Sequence, residues 1–454
     1  MRRVILLVVV LLGVAGFTGC NRQQDPDQPS VQLEEDKMEH EFVPEDFIPG
    51  GGSEVLCTEK GVYYRSGGDI RYKDFSTGND IYLCNKPECR HDGNEFCVAT
   101  NDTYTIYEMR LYNEKLFAVA TETTETQCMF KLLLIEPDGA TMEELVTFMT
   151  MENTGQVPTR MQEFQIHRNK VMIPFAAIDV EKFSDTDAYG TAIYDLDTKE
   201  LVYLDAEPFC RENNAAFSIQ GYEDWFYYCK NEEGKTRLHR YNLTDGTDES
   251  YALLPSFAGI YGIKDENTVV YIKCDGNGKV GNEFCLCHTD TGENEIASTL
   301  MRLDRRMLND GTIYEREQKY GAIDMTMDAS YIYVFEREQW GERRSVETGE
   351  RGPYYDNYLQ IYDHDLNKLA EYNFGDVIAE VVPELATQDS EDEEYKYVYK
   401  RNALYFLNGE AFCFVTGETK EDIVYMVYRC KQSDLLAKTP KMELVYKTSE
   451  AINK

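Results

Sequence analysis

Residues 61–78 read GVYYRSGGDIRYKDFSTG, and this pattern decides the fold. Aromatic and β-branched residues fill the beginning of the stretch, which favours a short β-strand. The end contains Asp74, Thr77 and Gly78, residue types that bond the local backbone or tolerate a positive φ, as a tight strand reversal requires. The stretch therefore predicts an antiparallel hairpin closed by a sharp corner.

The same combination recurs along the chain. The first strands of seven copies lie at positions 62, 116, 171, 225, 269, 331 and 403. Their spacings are 54, 55, 54, 44, 62 and 72 residues, and the near-equal early spacings argue against coincidence or a pair of β-sandwiches. We therefore predict an all-β fold, a single β-propeller of seven blades. Six or eight blades are the alternatives, because the last two spacings are long enough to hide or lose one.

The composition narrows the range of partners. The chain has 454 residues with 46 Lys+Arg and 82 Asp+Glu, a formal net charge of −36. Such a field repels nucleic-acid backbones and anionic lipid surfaces, so we predict no nucleic-acid partner. Hydrophobic residues make up 42% of the chain, which is typical of a globular protein.

The N-terminus predicts export and a lipid anchor. A basic start, Met1 to Arg3, precedes an apolar run from Val4 to Phe17, which is too short to cross a bilayer but typical of a secretory signal. The following Phe17-Thr18-Gly19-Cys20 resembles the bacterial lipobox, in which a diacylglycerol is attached to the cysteine and the peptide is cut before it. An ordinary signal peptide with an incidental cysteine is the alternative.

These features predict the organisation of the chain. Residues 21–41 are polar, acidic and nearly free of large apolar groups, so they cannot bury a core. We predict a lipoprotein signal peptide over 1–19, a disordered acidic tether over 20–41 and the propeller over 42–454. Residues 42–50 are expected to pair into the last blade. Acyl chains such as palmitate on Cys20 would hold the protein on the outer face of the cell membrane.

A cluster of metal-binding residue types follows the first blade, with the spacing Cys84-x4-Cys89-x-His91-x5-Cys97. Three thiolates and an imidazole match the ligands of a closed, structural zinc site. The alternative is a disulfide, either Cys89–Cys97 or Cys57–Cys84, and an oxidising location outside the cell favours it over zinc. Either version makes the segment a structural staple, because four protein ligands leave no open position for catalysis.

The stretch from Leu83 to His91, LCNKPECRH, carries a family resemblance. Together with the lipobox and the propeller repeat, its Leu-Cys-x-x-Pro-x-Cys-x-His pattern resembles a group of poorly characterised β-propeller lipoproteins of Gram-positive anaerobic bacteria. WD40 repeats do not fit, because the chain has only Trp225 and Trp340 and no Trp-Asp pair closes a blade. The resemblance implies a propeller fold and a membrane location, and it implies no activity.

Two segments, 301–321 and 336–358, lengthen the fifth and sixth units. Between 301 and 351, eight Arg and one Lys stand against eleven acidic residues, a local balance of −2 in a chain of −36. Long loops on a rigid scaffold often carry recognition, and Arg with aromatic residues suits peptide, glycan or carboxylate ligands. We interpret these segments as a binding rim; a solvated loop of surface ion pairs is the alternative. The predicted ligand-binding residues are Arg337, Trp340, Arg343, Arg344, Arg351, Tyr354 and Tyr355.

The sequence contains no Gly-x-Ser-x-Gly nucleophile motif and no paired spacing among its six histidines. Our leading hypothesis is a surface-anchored lipoprotein whose non-catalytic propeller binds an extracellular peptide, protein or glycan. One alternative is a carbohydrate-active enzyme, a glycosidase or lyase with carboxylates in the central channel. Another is a scaffold for a cell-envelope complex. We assign no catalytic residue and no cofactor beyond the zinc alternative.

Overall fold

The computed structural model consists mainly of antiparallel β-sheets of four strands. The structure describes residues 55–66, 68–93, 97–153, 160–161, 164–177, 188–204, 215–232, 235–253, 261–274, 280–308, 310–319, 322–328, 330–336, 339–344, 351–381, 403–407, 409–418 and 422–451. The predictions for Cys20 and Arg337, for the signal and tether segments and for residues 42–50 lie outside this part of the chain.

The first four blades follow one another along the chain. Blade one contains β1 (Val55–Cys57), β2 (Gly61–Ser66), β3 (Asp69–Asp74) and β4 (Asp80–Tyr82). Blade two contains β5 (Tyr104–Tyr112), β6 (Lys115–Thr123), β7 (Gln127–Ile135) and β8 (Met142–Glu152). Blade three contains β9 (Arg160–Met161), β10 (Gln165–His167), β11 (Lys170–Ala177), β12 (Ala188–Asp195) and β13 (Leu201–Tyr203), with β9 and β10 both paired to β11. Blade four contains β14 (Phe217–Tyr222), β15 (Trp225–Glu232), β16 (Lys235–Asn242) and β17 (Asp248–Leu253).

Two hairpins interrupt the later blades. Blade five contains β18 (Tyr261–Asp265), β19 (Thr268–Cys274), β20 (Val280–His288) and β21 (Glu293–Thr299). A hairpin of β22 (Met301–Met307) and β23 (Ile313–Lys319) follows it. Blade six contains β24 (Ala322–Met327), β25 (Tyr331–Glu336), β28 (Tyr358–Asp363) and β29 (Lys368–Asn373), with a hairpin of β26 (Gln339–Arg344) and β27 (Arg351–Asp356) inserted between β25 and β28. Blade seven contains β30 (Ala403–Leu407), β31 (Glu410–Glu418), β32 (Asp422–Lys431) and β33 (Glu443–Ala451).

The two inserted hairpins pair with each other in the strand order β23-β22-β26-β27, and we call this eighth sheet the appended sheet. Met307 of β22 is the register partner of Arg344 of β26. The expectation of long rim loops is thereby corrected, because much of both segments is β-strand held by main-chain pairing.

Two short helices complete the described structure. The helix α1 (Phe374–Val381) follows blade six, and α2 (Gln432–Leu436) lies between β32 and β33. Within the described ranges, no helix combines the length and apolar character needed to span a membrane.

The seven repeat positions predicted from the sequence identify the blades, but most of them do not lie on the first strand of the blade. Positions 62, 116, 171, 225, 269 and 331 lie on the second strand of blades one to six, and position 403 lies on the first strand of blade seven. Some first strands are short, and β1 and β10 have three residues each. The second strand is paired on both edges, and its long apolar run is therefore the stronger sequence signal.

Apolar clusters fill the contacts between neighbouring blades. In β15, Phe226 and Tyr228 belong to the cluster between blades three and four, whereas Tyr227 and Cys229 belong to the cluster between blades four and five. Successive side chains of a strand point to opposite faces, so a strand covered on both faces is apolar at every position. Equivalent clusters join blades one and two, two and three, five and six, and six and seven.

The ring closes through side-chain packing between blades one and seven. Val62 and Tyr64 share a buried cluster with Phe412 and Phe414. The ring centroids of Tyr64 and Tyr446 are 4.7 Å apart. Each end blade is built from its own consecutive strands, so within the described ranges the two share none. The predicted fold is confirmed: the chain is an all-β, seven-bladed β-propeller.

Candidate functional site

The side chains of Cys84, Cys89, His91 and Cys97 converge in the segment between β4 and β5. Their ligand atoms, three sulfurs and one imidazole nitrogen, all lie within 4.8 Å of one another. Cys97 is buried and the other three are half-buried. The structure therefore brings together the four residues that the spacing pattern singles out, and we call them the Cys/His cluster.

Tight turns fold the segment around this cluster. The Cys89 amide donates a hydrogen bond to the Lys86 carbonyl at 3.1 Å. His91 has a φ of +53° and Gly93 a φ of +82°, left-handed conformations that turn the chain sharply. The Gly93 amide then donates to the hydroxyl of Thr100 at 3.2 Å, which ties the two ends of the turn together.

The His91 ring is held on one face and directed at a thiol. It stacks on the ring of Tyr82, with centroids 4.6 Å apart and an interplanar angle of 20°. The guanidinium carbon of Arg71 lies 4.4 Å from the centroid of the same tyrosine ring. The Nδ1 atom of His91 lies 3.4 Å from the Sγ atom of Cys97, so the imidazole faces the sulfurs.

The thiols of the cluster differ in acidity. Burial opposes ionisation of Cys97, but hydrogen bonds from Thr100 and His91 outweigh it and lower the pKa of this thiol to about 6. At Cys89, a backbone hydrogen bond from His91 favours the thiolate, yet partial desolvation and hydrogen bonds with Cys97 and Cys84 raise the pKa of the thiol. The lowered pKa favours the thiolate of Cys97, the state in which cysteine binds metals.

The disulfide alternatives are not formed in the structure. Cys84, Cys89 and Cys97 are free thiols. Cys57 belongs to the apolar cluster between blades one and seven. The structure thus separates Cys57, which packs at the ring closure, from the three thiols that surround His91.

The segment that carries the cluster is bonded to both neighbouring blades. The Ile70 amide in β3 donates to the Ala99 carbonyl at 2.8 Å, and the Leu83 amide donates to the Ile70 carbonyl at 2.9 Å. The side-chain amide of Asn85 donates to the carboxylate of Asp138, in the turn between β7 and β8, at 2.8 Å. The cluster therefore lies at the junction of blades one and two.

Four of the predicted rim residues share one face of the appended sheet. Trp340 is the register partner of Tyr355, and Arg344 is the register partner of Arg351. Because side chains alternate between the faces of a strand, residues four apart on β26 lie on the same face. We call this surface the Trp340 face. The structure places Arg343 and Tyr354 at the alternate positions, on the opposite face.

Exposed apolar residues extend the Trp340 face across the neighbouring hairpin. Met307 pairs with Arg344, which places Leu303 on the same face of β22 and Ile313, the partner of Met307, on the same face of β23. Leu303 is 51% exposed and Ile313 is 46% exposed. Two large apolar side chains therefore remain exposed on this face of the appended sheet.

The appended sheet also differs in charge from the rest of the chain. Its four strands contain eight Arg or Lys and five Asp or Glu, a net charge of +3. The whole chain carries −36. The strands are thus less acidic than the chain as a whole, although Arg302 among them is paired with Glu336 and the residues between the hairpin strands add Asp310, Glu347 and Glu350.

A buried ion pair connects the appended sheet to blade six. The Arg302 Nε atom lies 3.0 Å from a carboxylate oxygen of Glu336, and both side chains are at most 5% exposed. The Arg302 guanidinium carbon lies 3.7 Å from the centroid of the Tyr358 ring. Gln360 donates to the Glu336 carboxylate at 2.7 Å, and Asn357 donates to the Glu336 carbonyl at 3.1 Å.

This junction corrects part of the sequence interpretation. Arg302 is one of the eight arginines between 301 and 351, and Tyr358 ends the second segment, but Arg302 is buried against Glu336 and Tyr358 and does not line a binding rim. Sequence analysis missed Glu336. A signal was present, since Glu336 ends the apolar run of β25, where a charged residue needs a partner.

Two carboxylates have a raised pKa among the described residues, and they do not form a pair. Burial raises the pKa of Glu336 to about 7, against the opposing effect of Arg302. Burial also raises the pKa of Asp328, whose carboxylate accepts hydrogen bonds from the amides of Ser330 and Tyr331. Asp328 lies in the turn before β25 and Glu336 at the end of that strand, and their hydrogen bonds involve different residues. This arrangement differs from the two facing carboxylates of a glycosidase.

Solved β-propellers resemble this chain at low sequence identity. The β-propeller domain of the trilobed protease from Pyrococcus furiosus, described as having an open velcro topology, is 11% identical with a TM-score of 0.36, covering 78% of this chain and 99% of that one. TolB from Acinetobacter baumannii is 11% identical with a TM-score of 0.30, covering 70% and 77%. YjhT is 12% identical with a TM-score of 0.33, covering 70% and 96%. No family model and no curated protein matches the chain.

Proposed function

We propose that this chain is a surface-anchored bacterial lipoprotein whose propeller binds an anionic peptide, protein or glycan without catalysis. The ligand docks on the Trp340 face of the appended sheet. One observation carries the proposal: Arg344 and Arg351 are register partners on the same face as the register partners Trp340 and Tyr355, in a chain whose formal net charge is −36.

The residue types on this face support an anionic ligand. Arg344 and Arg351 are register partners, and guanidinium groups bind carboxylates and phosphates in a bidentate manner. Trp340 and Tyr355 are register partners four residues away on the same two strands, with Glu342 and Pro353 between the two pairs, and aromatic residues with arginine are common at the centre of binding sites. The acidic remainder of the molecule repels anions, so the two arginines of this sheet face are the favourable place for one to approach.

The proposed location rests on the N-terminal sequence. The lipobox-like Phe17-Thr18-Gly19-Cys20 and the acidic stretch after it fit a lipidated cysteine followed by a tether. Replacing Cys20 by Ser removes the acylation site, so we expect the protein to leave the membrane fraction. A Cys20→Ser protein that is processed and still sediments with membranes would contradict the anchor.

Ligand capture by the purified full-length protein in detergent tests the proposed site. On arrays of acidic peptides and anionic glycans, we expect Arg344→Glu combined with Arg351→Glu to reduce capture at least about tenfold, because two desolvated charge contacts are reversed. The control combines Lys235→Glu with Lys441→Glu, the same charge change at exposed lysines of blades four and seven. Equal capture by both variants would place the binding site elsewhere. Shortened glycans in the eluate would favour an enzyme instead.

A further inference from the structure

We propose that Cys84, Cys89, His91 and Cys97 bind a structural zinc ion that joins blade one to blade two. The donor atoms are already assembled, since all four lie within 4.8 Å of one another. In a tetrahedral zinc site, a Zn–S distance of about 2.3 Å places neighbouring sulfurs about 3.8 Å apart. The cluster therefore reaches zinc geometry by small side-chain movements, with no rearrangement of the fold.

The donor set favours zinc over other metals. Three thiolates and one imidazole in a closed tetrahedral arrangement are a standard structural zinc set. Calcium and magnesium take oxygen ligands, and the cluster contains none. Iron–sulfur clusters are usually held by four cysteines, whereas here the fourth ligand is His91.

Neighbouring side chains already orient His91 toward the thiols of the cluster. The His91 Nδ1 atom already faces Cys97 at 3.4 Å, and stacking on Tyr82 fixes the ring. Zinc binding replaces the remaining thiol protons, and up to three protons are released to solvent. Three thiolates, a neutral imidazole and Zn²⁺ give a complex of net charge −1, with no change in oxidation state.

The place of the cluster in the fold explains what the metal does. The described residues between β4 and β5 form no strand, yet they are bonded to β3 through Ile70 and to the turn of blade two through Asn85 and Asp138. A metal bound by both Cys84 and Cys97 links the two ends of the segment. It thereby holds the hydrogen bonds to β3 and to the turn of blade two in place. The ion therefore strengthens one blade interface and takes no part in ligand binding on the appended sheet.

Metal analysis of the full-length protein, purified without chelator, tests the proposal. We expect one zinc per chain, and we expect the metal-free protein to bind Co²⁺ with the thiolate charge-transfer and d–d absorption of a tetrahedral site. Removing zinc should lower the melting temperature, and restoring zinc should recover it. The absence of metal and of a tetrahedral Co²⁺ spectrum would overturn the proposal.

A pair of cysteine variants localises the metal. Cys89→Ala should reduce zinc content to near zero, whereas Cys128→Ala, which removes a buried thiol of blade two, should retain one zinc per chain. If Cys89→Ala fails to fold, Co²⁺ spectra of the wild-type protein still decide the question. Peptide mapping that finds a Cys89–Cys97 disulfide in most molecules would replace the zinc site with the disulfide staple.

Discussion

At Glu336, the cost of burial outweighs the attraction of Arg302. Both side chains are almost fully buried, and their ion pair joins the appended sheet to blade six. Burial is the larger effect and raises the pKa of Glu336 to about 7; Glu371 also raises this pKa, while Arg302 and Lys368 lower it. We therefore expect the junction between blade six and the appended sheet to respond to pH in the neutral range.

The pKa of Glu336 predicts a stability that falls with rising pH. The folded chain keeps this proton up to about pH 7, whereas the unfolded chain loses it near the ordinary value of 4.5. The contribution of Glu336 to stability is therefore greatest below pH 4.5 and decreases as the pH rises toward the folded-state pKa of about 7. Between pH 6 and 8, the free energy of unfolding should fall by about 1 kcal/mol. Glu336→Gln removes this slope, and urea unfolding at several pH values measures it.

An exposed carboxylate provides the control for this measurement. Glu293→Gln changes an exposed residue of β21 and should keep the pH dependence of the wild-type protein. If the wild-type and Glu336→Gln proteins show parallel pH profiles, Arg302 keeps Glu336 ionised in the folded chain throughout the neutral range.

At the level of elements, the hairpin corners behave as the sequence predicts. The side-chain oxygens of Asp74, Asp195 and Asn242 each accept a hydrogen bond from the amide three residues later, at 2.8, 3.0 and 3.1 Å. Each corner follows the third strand of its blade. Local bonds of this kind depend on neighbouring residues alone, and a sequence pattern can therefore reveal them.

The appended sheet could not be predicted in the same way. The strand β23 reads IYEREQK, and its alternating charges suggest a solvated segment when it is read alone. Its sheet exists because β22 meets β26 at Met307 and Arg344, two segments separated by all of β24 and β25. The Cys/His cluster could be predicted from the sequence because its four ligands lie within one short segment. The choice between zinc and a disulfide could not be predicted in this way.

Two glycines with the same φ allow the cost of a left-handed backbone to be distinguished from the cost of a steric clash. Gly139 and Gly78 both have a φ of +70°. A Cβ atom at Gly139 would lie 2.3 Å from the Leu83 carbonyl oxygen, whereas one at Gly78 meets nothing within 4 Å. We expect Gly78→Ala to cost about 1 kcal/mol for the left-handed conformation and Gly139→Ala to cost about 1–3 kcal/mol more for the clash.

Urea unfolding of the two alanine variants measures this difference. The extra cost at Gly139 should appear together with weaker packing of the segment that carries Cys84, because Leu83 directly precedes it. Equal losses of stability in the two variants would show that this segment moves away from the turn of blade two without penalty.

For the whole molecule, ring closure rests on packing between the first and last blades. Tyr446→Ala removes a buried ring from this interface, and we expect it to lower the free energy of unfolding by about 3–5 kcal/mol. Hydrogen exchange should accelerate most in β1, β2 and β31 to β33, because the interface they form opens first.

Phe226→Ala is the matched control, since it creates a comparable cavity between blades three and four. Its faster exchange should be confined to those two blades, which remain joined by the chain. Faster exchange around the entire ring in the Tyr446→Ala protein would show that the blades separate together and not from the closure.

The interface between blades one and seven stays incomplete until the last blade has been synthesised. Blade seven is made last, so Val62 and Tyr64 stay uncovered while the intervening blades emerge and fold. A nascent chain that stops before position 403 also leaves Tyr333 and Phe335 of blade six without their partners. Such a fragment exposes apolar surface at both ends, and exposed apolar surface of this kind favours association between copies. We therefore expect truncated molecules to self-associate, whereas completing the last blade covers both ends at once.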